Sequence, residues 1–375
     1  MPPSDRTRDN QIGFRHVSKR RDGGADALRD FSLEVAAGEF VALLGPADAG
    51  GPAALGLLAG FQRPDAGEVW LAGRSVGPVP ARRRGVGYVG SLPALLPHMT
   101  VAENAGYPLR LRGVRGAARA EQVRPVLAAL GLEGLEQRRP GRLTQAERMR
   151  TALARAFLCE AGVMVLDAPF GGLEPRARAA LWDDLRRLHA RRGGTVLLAT
   201  EDAAEALSMS DRVALLDAGA VRQFGTPEEL YERPADGLVA RSVGETNRLP
   251  GFIEAMEDDV ARVRLACGAV VGALLADARP GDRCVVGVRP ERVALAAVPA
   301  DEMGEGAVPA ELLETVYGGD HVRLRLRIGF PGAAPADVVV KRPAGVPLRG
   351  LAPGAPASVA WQPHHARAYV PEPGA

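Results

Sequence analysis

A chain of 375 residues is long enough for two separate cores, and its formal net charge of +2 gives no electrostatic reason for a polyanionic partner, so no nucleic acid is expected. The cysteines, Cys159, Cys267 and Cys284, are scattered without C-x-x-C spacing, which argues against a disulfide framework or a zinc site and fits a reducing cytosol. The start, MPPSDRTRDNQIG, is polar, and no apolar run approaches the roughly 18 residues of a membrane span, so any membrane role is expected to be peripheral.

The first informative stretch is GPADAGGPAAL at residues 45–55. It follows the apolar run EFVALL, which reads as a buried strand, and precedes AALGLLAG, which reads as a helix. A glycine-rich turn in that position is where the amides of a phosphate loop point, but the pattern ends in G-K-[ST], and here Gly50 is followed by Gly51, Pro52 and Ala53. Lys19 and Lys341 are the only lysines of an arginine-rich chain, so arginine would be the ordinary replacement and composition does not explain glycine. Pro52 is compatible with a helix start, whose first positions need no amide donor. Asp48 lies inside the curve of amides: its carboxylate either accepts them or points into solvent, and on both readings its charge opposes phosphate.

Up to about residue 242, short apolar strands (EFVALLG, GVMVLDAP, TVLLAT, RVALLDAG) alternate with helical stretches such as RARAALWDDLRRLHARR, which predicts an α/β domain with a parallel sheet. From GFIEAM onward, short alternating strands (ARVRL, DRCVVGVRP, HVRLRLRI, DVVVK, ASVAW) separated by Gly and Pro turns predict a small all-β barrel or sandwich over residues 243–375. The Ala/Gly/Pro-rich stretch near 329–357 reads as surface loop interrupted by strands. His16, His98, His189, His321, His364 and His365 form no metal-ligand cluster, and the last pair reads as a strand-end surface feature.

Taken in order, FSLEVAAGEFVALLGP, LLAGFQRPDAGEVWLAG, LLPHMTVAENAGYPLRLRG, ALARAF, VMVLDAPFGGLEPRARAALWDDLRRLH, LLDAGAVRQFGTPEELYERPA and VGETN resemble the ATP-binding cassette of an ABC importer. VGVRPERV and VAWQPHHARAYV resemble the TOBE domain that follows it. The resemblance implies a P-loop NTPase with a RecA-like core over residues 1–242, a helical subdomain at about 90–155, and an OB-like TOBE barrel over 243–375. The junction VGETN is more similar to the spermidine/putrescine or iron branch than to the maltose branch. The resemblance further implies ATP and magnesium as cofactors, a cassette dimer, permease subunits at the cytoplasmic face of the cell membrane and, indirectly, a solute-binding protein.

The resemblance also assigns site positions, and most have changed. Gly45, Gly50, Gly51, Pro52 and Ala53 occupy the phosphate loop without its lysine and magnesium-binding hydroxyl. Asp48 stands where the family has glycine. Asp167 keeps the magnesium position, but the adjacent general base is Ala168, which cannot take a proton from water and whose loss alone implies about 10²- to 10⁴-fold in rate. Glu201 stands at the switch histidine, Ser91 at the glutamine that senses magnesium, and Arg21 where an aromatic would stack on adenine, as a guanidinium plane still could. In the signature, Thr144, Gln145, Ala146 and Glu147 replace residues whose glycines let backbone amides approach the partner's γ-phosphate.

A unit charge about 4 Å from phosphate is worth roughly 4 kcal/mol at an effective dielectric near 20, so the changes predict weak or no binding of Mg-ATP and no hydrolysis. Phosphate loop and signature are broken on the same chain, so pairing with an intact cassette would damage both composite sites. Three functions are open: a docking pseudo-ATPase in polyamine-type uptake, an active ATPase energising uptake of polyamine, iron or sugar, and a regulatory or ligand-binding protein using the TOBE-like domain. LLPHMTVAENAGYPLRLRG keeps the family pattern where the helical subdomain meets the permease, which favours docking.

Overall fold

The computed structural model describes residues 10–21, 23–159, 162–297, 306–346 and 350–371; most of the polar start and part of the 329–357 stretch lie outside them. Its contacts divide the chain into two units, residues 1–227 and 228–375.

In the first unit, β1 (Asn10–Arg20) and β2 (Asp26–Ala36) form an antiparallel hairpin that buries Ile12, Phe14, Leu33 and Val35. β3 (Phe40–Leu44) is buried at every residue, as expected of a strand covered on both faces. There follow α1 (Gly51–Ala59), β4 (Ala66–Leu71), β5 (Arg74–Ser75) and β6 (Gly87–Val89). A helical segment comes next, with α2 (Val101–Ala105), α3 (Tyr107–Leu111), α4 (Gly116–Ala129) and α5 (Gln145–Phe157). The unit closes with β7 (Val163–Asp167), α6 (Pro175–Arg192), β8 (Thr195–Thr200), α7 (Ala203–Met209), β9 (Arg212–Asp217) and β10 (Ala220–Gly225).

The main sheet has the order β10-β9-β3-β8-β7-β6, parallel except for the β9–β10 hairpin. This is the α/β domain the apolar runs predict. A separate antiparallel sheet, β2-β1-β4-β5, is not legible in the sequence: register shifts between Phe14 and Val17 and on to Arg20 break the alternation of β1 where its strand signal should be strongest.

The second unit begins with α8 (Pro227–Glu232) and α9 (Gly237–Val243), followed by β11 (Asn247–Glu257), β12 (Val260–Leu265), β13 (Val270–Leu275), β14 (Arg283–Val288) and β15 (Ala294–Ala296). Then come β16 (Val308–Tyr317), β17 (His321–Ile328), β18 (Ala336–Pro343), β19 (Pro356–Ala360) and β20 (Ala366–Tyr369). β11-β12-β13-β20-β14 close into a barrel, and β15-β19-β16-β17-β18 form a second sheet that shares its core, with Ile253, Val286, Leu324 and Val338 all buried. Barrel and open sheet therefore both occur.

The division falls at 227/228 instead of the expected 242/243, because α8 and α9 are tied to the barrel. The guanidinium of Arg289, buried just after β14, donates to the carbonyls of Ala240 and Gly244 at 2.8 Å and of Tyr231 at 3.2 Å, and to Thr246 Oγ1 at 2.6 Å. The junction VGETN is fixed in the same way. Glu245 pairs with Arg323 at 2.7 Å and Lys341 at 2.9 Å, and Asn247 exchanges two hydrogen bonds with the backbone of Val339 in β18.

Candidate functional site

In a parallel sheet, ligands gather at the carboxyl ends of the strands. Here the ends of β3, β7 and β8 enclose a cleft of about 100 Å³, lined by Gly45, Ala47, Gly51 and Pro52, by Asp167 and Ala168, and by Thr200 and Glu201. The loop keeps its backbone course. Gly50 has φ +113°, and a Cβ there would stand 2.6 Å from the Ala27 carbonyl oxygen, so only glycine fits. Pro52 sits in the first turn of α1, where a missing amide costs nothing, and half-buried Ala53 follows.

One amide of the loop is already engaged. Glu201 Oε1 accepts a hydrogen bond from the backbone amide of Ala47 at 2.9 Å, placing a carboxylate from the end of β8 against the anion-binding curve. Asp48, the residue expected to fill that curve or face solvent, is exposed. Its backbone carbonyl accepts from the Arg21 guanidinium, so Arg21 braces the loop rather than offering an unengaged plane to a base.

Asp167 is committed as well. Its Oδ2 accepts from the Tyr88 hydroxyl at 2.6 Å, and burial together with this carboxylate pushes the Tyr88 phenol far above its ordinary value. Ala168 is held at φ +43°, a left-handed conformation that costs a non-glycine residue about 1–2 kcal/mol. Its amide donates to Ala199 O at 3.0 Å. The backbone that would present a general base is kept while the side chain is a methyl group. Ser91 lies on an exposed bend beyond β6, outside the cleft lining.

Thr144 and Glu147 form a complete capping box at the start of α5: Thr144 Oγ1 accepts from the Glu147 amide at 3.2 Å and Glu147 Oε2 from the Thr144 amide at 2.7 Å. Gln145 reaches toward the loop after β7, where a Cβ at Gly172 would fall 2.5 Å from its Nε2. Ala146 is half-buried beside it. The signature segment thus keeps its helix start, and side chains stand where the family has glycine.

The residues present do not fit Mg-ATP. The loop lacks a cation and a hydroxyl, a carboxylate occupies one of its amides, and the acid at the magnesium position is held by a phenol. Among the described residues no group of three His, Cys, Asp or Glu side chains could hold a metal ion.

Sequence pattern singles out neither of two further residues, Tyr88 and Glu205. Tyr88 is one residue of a short strand, although a tyrosine so close to a strand's end is a natural reach to its neighbour. Glu205, in the first turn of α7, is buried; one oxygen accepts from Thr200 Oγ1 at 2.7 Å and Oε1 has no partner. Burial, with the nearby charge of Asp202, raises its carboxyl to about 7, against the opposing pull of the Thr200 hydrogen bond and Arg178. A carboxyl raised on folding binds its proton more tightly in the folded state, so its contribution falls as pH rises from the unfolded value near 4.5 through about 7. Glu205→Gln is therefore expected to stabilise the chain at pH 8 by roughly 1–3 kcal/mol, with the gain vanishing toward pH 5, in urea unfolding at the two pH values.

A second cleft, of about 350 Å³, opens beside the helical segment and is lined by Tyr88, Leu96, Tyr107, Leu111, Arg155 and Cys159 among others. The motif LLPHMTVAEN is organised around buried Asn104, whose Nδ2 donates to the carbonyls of Leu96, Met99 and Thr100 while Oδ1 accepts from the Leu96 amide at 2.8 Å. Tyr88 lines this second cleft, and its hydroxyl reaches Asp167, which lines the first.

A strand, a glycine-cornered loop and a helix at the centre of a parallel sheet, with a helical segment inserted before β7, define a nucleotide-binding cassette. Residues 28–171 match the ABC transporter family model and residues 286–368 match the TOBE domain model. The chain is 38% identical over 357 residues to the spermidine/putrescine import ATP-binding protein PotA of Rubrobacter xylanophilus, covering 94% of this chain and 92% of that protein. It is 37% identical over 318 residues to the sulfate/thiosulfate import ATP-binding protein CysA 2 of Chromobacterium violaceum, covering 84% of each. Among solved structures, the bacterial ABC transporter cassette MJ0796, described as dimeric, matches 58% of this chain and 98% of its own at 25% identity with TM-score 0.52. The cassette cbiO1 from Clostridium perfringens shares the fold, at TM-score 0.55 and 21% identity over 60% of this chain and 92% of its own.

The chain belongs to the ATP-binding subunits of ABC importers that carry a C-terminal TOBE domain. Cassettes of that family bind ATP with magnesium. No helix among the described residues is long and apolar enough to cross a membrane.

Proposed function

We propose that this chain is a non-hydrolysing cassette of a polyamine-type ABC importer, acting as a peripheral scaffold on the permease at the cytoplasmic face of the membrane and pairing with a second cassette. The observation that carries the reading is the 2.9 Å hydrogen bond from the Ala47 amide to Glu201, a carboxylate seated on a phosphate loop that also lacks its lysine. Coulomb repulsion between that carboxylate and a phosphate, unopposed by a loop lysine, disfavours the triphosphate. The polyamine assignment is supported by relatives named for spermidine/putrescine import, including that of Pseudomonas aeruginosa at 36% identity over 312 residues. The intact Asn104-centred segment and the cleft beside it support docking: a concave apolar surface with arginine at its edge suits a helix from a membrane partner. A solute-binding protein would then be an indirect partner.

The test is phosphate release by the purified chain at saturating Mg-ATP. Background release, unchanged in Asp167→Asn, is expected; turnover that disappears in Asp167→Asn would return the chain to the working ATPases.

A further inference from the structure

The docking reading leaves unexplained a concentration of charge next to the cleft. Residues 107–120, YPLRLRGVRGAARA, hold Arg110, Arg112, Arg115 and Arg119 and no acidic residue, a charge of +4 against +2 for the whole chain. Arg110, Arg112 and Arg115 are exposed and Arg119 is half-exposed. No carboxylate among the described residues lies within ion-pair distance of Arg110, Arg115 or Arg119, and the Arg110 guanidinium lies 4.9 Å from the Tyr107 ring centre, whereas other arginines of the unit pair with carboxylates. Arg115 is the N-cap residue of α4 and Arg119 lies in its first turn.

The turn between α3 and α4 stands clear of the rest of the unit. A Cβ built at Gly113 or Gly116 meets nothing within 4 Å, and Leu111, beside that turn, is 71% exposed. An exposed apolar side chain at the end of α3, flanked by cations, suits a flat anionic surface with an apolar layer beneath its charge. A folded acidic protein would instead be met by a concavity, which is what the neighbouring cleft provides; Leu111 lines that cleft too, so the patch is continuous with the proposed docking surface.

We propose that the α3–α4 turn binds anionic phospholipid headgroups, with Arg110, Arg115 and Arg119 on the phosphates and Leu111 entering the interface. The proposal takes its setting, a cassette held near a membrane, from the reading above, but none of its residues lines the nucleotide cleft. Its test uses the isolated full chain and no nucleotide.

The experiment is flotation with vesicles of phosphatidylcholine alone or with one lipid in three replaced by phosphatidylglycerol, at low and high salt. Binding to the anionic vesicles only, weakened by salt, is expected. Each arginine near such a surface contributes about fivefold, so Arg110→Gln/Arg115→Gln/Arg119→Gln should lower partitioning by about 100-fold. A control, Arg176→Gln/Arg187→Gln/Arg191→Gln on α6, removes the same charge and should leave most of the binding. No binding to anionic vesicles, or equal losses in the two variants, would overturn the proposal. So would retained vesicle binding by the α3–α4 variant together with lost binding to a permease complex, which would assign the patch to an acidic protein surface. Far-ultraviolet circular dichroism on both variants excludes misfolding as the cause of a loss.

Discussion

The triple variant Gly51→Lys/Pro52→Ser/Glu201→His is expected to bind Mg-ATP at least about 100-fold more tightly than the parent chain, a gain of roughly 3 kcal/mol. Three contributions combine. Lysine restores a point charge to the phosphates, serine a hydroxyl to magnesium, and removal of the Glu201 carboxylate frees the Ala47 amide. The space is nearly there: a Cβ at position 51 would stand 3.1 Å from Ala199 Cβ, which requires a shift of a few tenths of an ångström. The double variant without Glu201→His is expected to gain much less, because the introduced lysine would find the Glu201 carboxylate across the same small cleft and pair with it. Calorimetry of both variants separates the contributions. Equal affinity in double and triple variants would show that Glu201 does not block the loop.

The second large effect belongs to the other unit. Arg289→Ala is expected to destabilise residues 228–375 by about 3–5 kcal/mol, because a buried guanidinium is removed and the acceptors it joins lose their donor. Burial pulls the Arg289 guanidinium below the usual arginine range, and Tyr231 and Tyr369 pull the other way. The balance favours the charged form because the Ala240 and Gly244 carbonyls lie at the C-terminal end of α9, the negative end of its dipole, and the guanidinium carbon lies 4.2 Å from the Tyr231 ring centre. Arg289→Lys keeps the charge but cannot reach several acceptors in different directions, so it should recover only part of the loss. Hydrogen exchange at α9 and β14 reads the effect locally; unchanged protection in Arg289→Ala would contradict this account of why α8 and α9 belong to the barrel.

Site residues and fold elements are legible in the sequence to different depths, and the reason is range. β3, β7, β8 and β9 are continuous apolar runs, and β12 and β17 alternate cleanly, so local pattern alone reveals them. β1 is obscured by bulges that interrupt its period. The domain boundary depends on contacts from Arg289 back to residues 231–246, and nothing in the local sequence of α9 announces them.

The loop shows the same division. That Gly51, Pro52 and Ala168 cannot do phosphate chemistry follows from what their side chains lack, and is readable from the sequence. What occupies the amides depends on which carboxylate reaches them in space. Sequence proximity points to Asp48; the strand pairing of β3 with β8 brings Glu201 instead. Tyr88 on Asp167 is hidden for the same reason, since β6 and β7 are neighbours only through the sheet.

On the proposed reading the cassette keeps its fold while Glu201 holds an amide of a phosphate loop that lacks its lysine and hydroxyl. Equilibrium titration of the unmodified full-length chain with Mg-ATP by calorimetry tests it most directly. The account predicts no measurable binding at micromolar to low-millimolar nucleotide; saturable heat with a micromolar dissociation constant would contradict it, and would mean that Glu201 leaves the Ala47 amide when phosphate arrives.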